Sequence, residues 1–206
     1  MREYRIPQKP KINLADFCEP NDSFAGYSYA DYLKWDFEEI VELIKGKIFV
    51  KPPSPGRRHQ EIRGNLMFAI FNFLTKKPYQ VYAAPFDVRF SEKSEDYQVF
   101  SVVQPDISVI FDPEKLDDWG CFGSPDLIVE IFSEGSIQMD LKDKYDLYQE
   151  FGVREYWIVS PLGNYLQVNT LVDGKYQPSK LFTSGDKIKS SVISGFELDL
   201  EEVFME

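Results

Sequence analysis

Around Lys45-Gly46 the run EEIVELIKGKIFVKPP alternates polar and apolar positions on both sides. Alternation about a two-residue turn containing glycine predicts a β-hairpin. The period then changes. In SPGRRHQEIRGNLMFAIFNFLTKK, the residues Ile62, Leu66, Ile70, Phe73 and Leu74 fall on one stripe, behind Ser-Pro and ahead of two lysines. That spacing predicts a long amphipathic helix. Three apolar runs follow, YQVYAAPFDVRF, VVQPDISVIF and DLIVEIFS, and predict strands buried on at least one face. IQMDLKDKYDLYQEFG predicts a second helix stopped by Gly152. REYWIVSP and NYLQVNTLVDGKYQPSKLF supply two or three further strands.

Ahead of the hairpin, SYADYLKW predicts a short helix with Ser28 and Asp31 as a capping pair. Residues 1–26 mix Pro, Asn, Asp and Lys without periodicity and read as an N-terminal arm with little regular structure. No repeat, low-complexity tract or composition break divides the remainder. Residues 27–206 are therefore expected to form a single α/β (α+β) domain, a mixed β-sheet flanked by helices.

Composition narrows the function classes. With 43% apolar residues in a chain of 206, one well-filled core is within reach. No apolar run approaches the roughly 18 residues that span a bilayer. The opening MREYRIPQKPKINLADF does not resemble a signal peptide, and Cys18 and Cys121 form neither a disulfide framework nor a zinc spacing. A cytoplasmic protein with reduced thiols and no membrane partner is expected. The net charge of −11 argues against non-specific binding to nucleic acid, which needs Lys and Arg to displace counterions. From Lys45 to Arg63, however, six basic residues stand against Glu61 alone, a local +5 that leaves −16 for the rest. Such a segment suits either a protein that meets phosphate at one place or a solvated hairpin and helix start.

The candidate chemistry lies in the apolar runs. Asp106 and Glu130 interrupt them, and carboxylates in buried strands are costly to desolvate without a compensating cation. If the two strands are neighbours, both carboxylates reach one place, an oxygen-rich site of the kind Mg²⁺ prefers. Strand-end Pro-Asp pairs are also ordinary turns, and this second reading stays open. In the following helix Asp140, Lys144 and Tyr148 are spaced i, i+4, i+8 and share one face. A lysine beside paired carboxylates is what phosphodiester hydrolysis requires, though an Asp140–Lys144 surface pair is the plainer reading. Asp126, in the second Pro-Asp, starts a strand and reads as a turn or capping residue. His59 is the sole histidine, which excludes a His-based metal site, and Ser54 and Ser133 have no histidine partner for a Ser-His-Asp triad. No glycine-rich phosphate loop is present.

Four stretches, VELIKGKIFVKPPSPGRRHQEI, VVQPDISVIF, SPDLIVEIFS and DLKDKYDLYQEFGVREYWIVSP, in this order and spacing resemble the Uma-two family. Its members are bacterial, abundant in cyanobacteria and described as restriction endonucleases of the PD-(D/E)XK superfamily. The resemblance runs from Tyr27 to Leu171, about 70% of the chain. It implies a restriction-endonuclease-like fold and a Mg²⁺ (or Mn²⁺) dependent endodeoxyribonuclease, with Asp106, Glu130 and Glu42 as metal ligands. Phe132 stands where the superfamily usually has its lysine, so Lys144 matches a lysine migrated to the following helix. Asp140, Tyr148, Gln104 and His59 match supporting positions. Departures include Lys47 for an acid after the hairpin glycine, Ser160 for an aspartate, an added Glu134 and a longer acidic connection before Asp106.

These readings lead to a metal-dependent phosphodiester hydrolase acting on DNA, with Arg57, Arg58 and Arg63 near the helix start as the nucleic-acid contacts. The acidic charge motivates the rival, a nuclease-fold binding or regulatory module without turnover, or a subunit that relies on a separate DNA-binding partner. Homodimerisation is the other expectation on partners, because cutting both strands calls for two sites.

Overall fold

Two prolines decide how the strands are distributed. In the computed structural model, which describes residues 26–51, 56–93, 95–132 and 139–205 (at 139–141 the backbone only), each apolar run containing an internal proline is cut in two. The first gives β3 (Gln80–Ala83) and β4 (Val88–Arg89), on either side of Pro85; the second gives β5 (Val102–Val103) and β6 (Ile107–Ile110), on either side of Pro105. Proline has no N–H to place in a ladder, so the chain leaves one sheet there and enters another.

The elements ahead of these follow their local signals. Helix α1 (Tyr29–Tyr32) starts with a capping box between Ser28 and Asp31. The hairpin β1 (Val41–Ile44) and β2 (Lys47–Val50) turns through Lys45 and Gly46, both at positive φ. Gly46 is required there twice over, since a Cβ would also meet the Gly26 backbone at 2.7 Å. Helix α2 (Arg57–Leu74) buries Ile62, Leu66, Ile70 and Leu74, and Phe73 packs edge-on against Phe196. Downstream come β7 (Leu116–Asp117), β8 (Gly120–Phe122) and β9 (Leu127–Ile131). A wider π-helical stretch, Met139–Lys144, leads into α3 (Tyr145–Glu150), which ends at Gly152 with positive φ. β10 (Glu155–Ser160), β11 (Tyr165–Val172), β12 (Lys175–Pro178), β13 (Phe182–Thr183), β14 (Lys187–Lys189), β15 (Glu197–Asp199) and α4 (Leu200–Phe204) complete the domain.

The mixed α+β architecture is as expected, but the strands divide over two larger sheets rather than one. The first sheet runs β2-β1-β5-β4-β8-β7; the second runs β12-β11-β10-β9-β6-β3, with β13 on β11; β14 and β15 pair separately. In the second sheet β9 and β10 are parallel, joined through α3, and β6 is antiparallel to β9. Its central strands β6, β9 and β10 are buried on both faces, which explains their largely apolar runs. Val109, Val129, Trp157 and Val159 face α2 and the C-terminal elements. Ile110, Ile128 and Ile158 face α3 and the first sheet. By the same alternation Glu130 shares the face of Ile128.

Residues 1–25 of the expected N-terminal arm lie outside the described residues, as do Ser54, Ser133 and Glu134. Among the described residues no helix is long and apolar enough to cross a membrane.

Candidate active site

The crossing between the two sheets at Gln104-Pro105-Asp106 brings the expected constellation together. Ile107 pairs with Val129 across β6 and β9, so Asp106 stands opposite Glu130 one step further along. Asp106 Oδ2 accepts the Ile131 N–H at 2.8 Å and lies 3.4 Å from His59 Nε2. Lys144 Nζ donates to Glu130 Oε1 at 2.8 Å, and Tyr148 OH donates to the same oxygen at 2.7 Å. The ammonium also pairs with Glu42 Oε2 at 3.0 Å. Glu42, from the middle of β1, accepts the Gln104 N–H at 2.7 Å through Oε1, which Lys51 Nζ approaches to 3.5 Å. Glu42, Glu130 and Lys144 are all buried.

Burial opposes charge on these groups, and their partners reverse its effect. Desolvation pushes the Glu42 carboxyl up, but Lys144, Lys51 and the Gln104 N–H outweigh it and hold it below the ordinary value. Asp106 behaves likewise, with His59, the Ile131 N–H and Lys51 overcoming burial. Tyr148 is raised well above its usual value by burial and by the adjacent Glu130 charge, and so remains a hydrogen-bond donor.

The remaining predicted residues are placed unevenly. His59 reaches Asp106 from the first turn of α2, and its Nδ1 has no partner among the described residues. Gln104 joins the site chiefly through its backbone; its side chain donates to Asp87 Oδ1 at 2.8 Å and Tyr32 OH at 3.3 Å. Arg58 is engaged elsewhere, donating to the Phe204 and Met205 carbonyls and to Asn164, and so ties α2 to the chain end. Arg57 is exposed and paired with Glu61 on its own helix. Arg63 approaches the Ala84 carbonyl at 3.5 Å, beside the Ala84 N–H bond to the Asp106 carbonyl. The Asp140 side chain lies outside the described ones, and its backbone belongs to the π-helical stretch rather than to an α-helix. Asp126 accepts the Phe111 N–H at 2.9 Å and pairs with Arg154, the structural part expected of it.

Two participants were not singled out by the sequence reading. Lys51 appeared only as one charge in a basic segment, yet its Nζ donates to the Gln104 carbonyl at 2.8 Å. Asp87, hidden within an apolar run, lies behind Gln104 with its carboxyl pushed up by burial. A lone acid two residues after Pro85 inside such a run was the available signal for Asp87; nothing local marks Lys51.

A family profile described as "Putative restriction endonuclease", Uma2, matches residues 29–201. The chain belongs to the Uma2 family. A solved structure described as "a putative nuclease belonging to DUF820", from Anabaena variabilis ATCC 29413, superposes on it with a TM-score of 0.68. The likeness covers 86% of this chain and 97% of that one at 18% sequence identity, and establishes a shared fold. No protein of curated function matches the chain in sequence.

For this Uma2 member the donor chemistry fits a hard divalent cation. Asp106 and Glu130 offer carboxylate oxygens from facing strands, and Mg²⁺ is usually held by one or two carboxylates with waters and substrate phosphates completing the shell. Among the described residues no three His, Cys, Asp or Glu side chains are grouped closely enough to enclose a metal. Lys144 stands between Glu42 and Glu130 and pairs with both, and Lys51 also approaches Glu42.

Proposed function

We propose that this Uma2 protein is a divalent-metal-dependent phosphodiesterase that cleaves DNA at the seam between its two sheets. One observation carries the reading: Asp106, just ahead of β6, bonds the Ile131 N–H beside Glu130 at the end of β9, with Lys144 and Tyr148 on one Glu130 oxygen. Asp106 and Glu130 would hold Mg²⁺ or Mn²⁺, with Glu42 next to them. When bound, the cation would polarise a phosphate and acidify a water. Lys144 neutralises Glu42 and Glu130, fixes the Glu130 carboxylate and stands ready to stabilise charge that develops on a phosphate. Tyr148 orients the same Glu130 oxygen, and His59 with the Ile131 N–H orients Asp106. Asp140 is proposed to support Lys144 from one turn earlier. Arg57 and Arg63 are the basic residues of α2 that would meet a DNA backbone, while Arg58 is tied to the Phe204 and Met205 carbonyls. The reading puts the protein in the cytoplasm.

The test is calorimetric titration of Mn²⁺ into the protein and into Asp106→Asn, with plasmid nicking on the same samples. Metal binding and metal-dependent nicking, both lost in the variant, are expected. Nicking that persists in Asp106→Asn overturns the assignment.

The charge of −11 favours a second reading, a nuclease-fold module that binds without turnover or works beside a basic DNA-binding partner or as a homodimer. DNA retention without nicking in either metal would select it.

A further inference from the structure

Two ammonium groups converge on Glu42, and they are differently placed. Lys144 is 1% exposed and enclosed by Glu42 and Glu130, so it faces two carboxylates and not solvent. The Lys51 side chain is 21% exposed. Among the described residues its Nζ makes one short bond, to the Gln104 carbonyl at 2.8 Å, and reaches Glu42 only at 3.5 Å. An ammonium has three protons, and these two acceptors can take only two of them. The base of the side chain is held, because the Lys51 N–H donates to the Ile40 carbonyl at 2.8 Å and extends the hairpin ladder by one residue.

Charge balance gives the position a use. Glu42, Glu130 and Asp106 bring three negative charges, and Lys144 offsets them only from within the buried layer. A phosphate approaching Asp106 meets like charge unless an accessible cation stands beside it. Lys51 acts on Asp106 as well as on Glu42, holding both carboxyls down. The neighbouring basic side chains are less accessible: Arg58 is tied to the Phe204 and Met205 carbonyls, and His59 is buried against Asp106.

We propose that Lys51 is a second active-site lysine, which contacts a phosphate of the nucleic-acid substrate from the more exposed side of the site, while Lys144 acts from the buried side. This rests on the nuclease reading above. The bland alternative, a latch between the hairpin and the Gln104 crossing, is separable because it needs a donor but no charge.

The experiment is anisotropy of a labelled DNA duplex against wild type, Lys51→Gln and Lys51→Arg across 25–200 mM salt, in EDTA and in Mg²⁺, with thermal melting and plasmid nicking alongside. These salt limits are chosen so that a counterion-release slope is measurable (roughly 0.9 per phosphate contact). Lys51→Gln keeps a donor for the Gln104 carbonyl and should melt near wild type. It is expected to bind about tenfold more weakly at low salt, with the slope reduced by about one, and Lys51→Arg should restore the slope. An unchanged affinity and slope in Lys51→Gln, with wild type binding and nicking, overturns the proposal alone. Absence of both binding and nicking in wild type overturns the nuclease reading and this proposal together.

Discussion

Asp106 and Asp126 are reciprocal clamps on one pair of strands. Asp106 stands just ahead of β6 and accepts the Ile131 N–H at the end of β9; Asp126 stands just ahead of β9 and accepts the Phe111 N–H just past β6. The antiparallel register carries each Pro-Asp to the far end of its partner strand. Each carboxylate also has one basic neighbour, His59 at 3.4 Å for Asp106 and Arg154 at 3.2 Å for Asp126. What separates them is the company they keep. Only the Asp106 end also holds Glu130, Lys144, Glu42 and Lys51.

That difference predicts opposite phenotypes. Asp126→Ala leaves the Phe111 N–H without its acceptor and should lower stability by about 1–2 kcal/mol, while metal-dependent nicking by the folded fraction is retained. The exposed Arg154 adds little to this loss. Asp106→Asn should abolish nicking with a smaller change in stability. Urea unfolding and nicking on both variants check the pair, and loss of nicking in folded Asp126→Ala would contradict it.

The contrast also shows how far such motifs can be read without coordinates. The Lys45-Gly46 hairpin, the Ser28–Asp31 capping box and the α2 stripe depend on neighbours within a few positions, so their periods were visible along the chain. Asp106 and Glu130 could be singled out as acids in apolar runs and through the motif pattern of the family, but their convergence depended on β6 and β9 being neighbours. The division into two sheets was not visible, because Pro85 and Pro105 sit in apolar runs that continue on both sides. Lys51 was hidden for another reason. Its bond to Gln104 spans 53 positions and depends on how the hairpin packs against the sheet crossing, which no local spacing encodes.

Lys144 should prove to be a stability residue as well as a functional one. Removing its ammonium leaves Glu42 and Glu130 buried around an uncompensated site, and breaking a buried pair in this way typically costs about 3–5 kcal/mol. Lys144→Met is therefore expected to unfold at markedly lower urea in EDTA than wild type. Mg²⁺ or Mn²⁺ should recover part of the loss by binding the folded state, and Glu42→Gln combined with Lys144→Met should recover part of it without metal. An unchanged urea midpoint for Lys144→Met in EDTA would show that the pairing carries no net stability.

Away from the site, Asp117 and Arg89 make a pH-dependent contribution with a definite sign. Arg89 is 4% exposed, donates to Asp117 Oδ1 at 2.6 Å and lies over the rings of Tyr29 and Phe122. Burial pushes the Asp117 carboxyl up, but Arg89 and the Trp119 N–H outweigh it and lower it from 3.8. A depressed folded value means the contribution is fully present above 3.8 and is lost as pH falls through the folded value. Asp117→Asn should accordingly melt below wild type by a constant margin between about pH 5 and 8, with the two curves converging on acidification below 3.8. Melting curves recorded across that range test this; a margin that widens toward acid would reverse the sign.

Cys121 provides a probe of the fold that does not involve the candidate site. Its thiol is fully buried in β8 of the first sheet, within the apolar core that sheet shares with α3, and burial raises its pKa to about 12. Thiolate is the reactive form, so at pH 8 the group is both inaccessible and almost wholly protonated. Iodoacetamide should leave Cys121 unmodified in the native protein and alkylate it rapidly in urea, as read by peptide mass spectrometry. Labelling that follows the urea unfolding curve would mark β8 as part of the cooperative unit. Rapid labelling under native conditions would mean that β4 and β8 open independently of the rest of the domain.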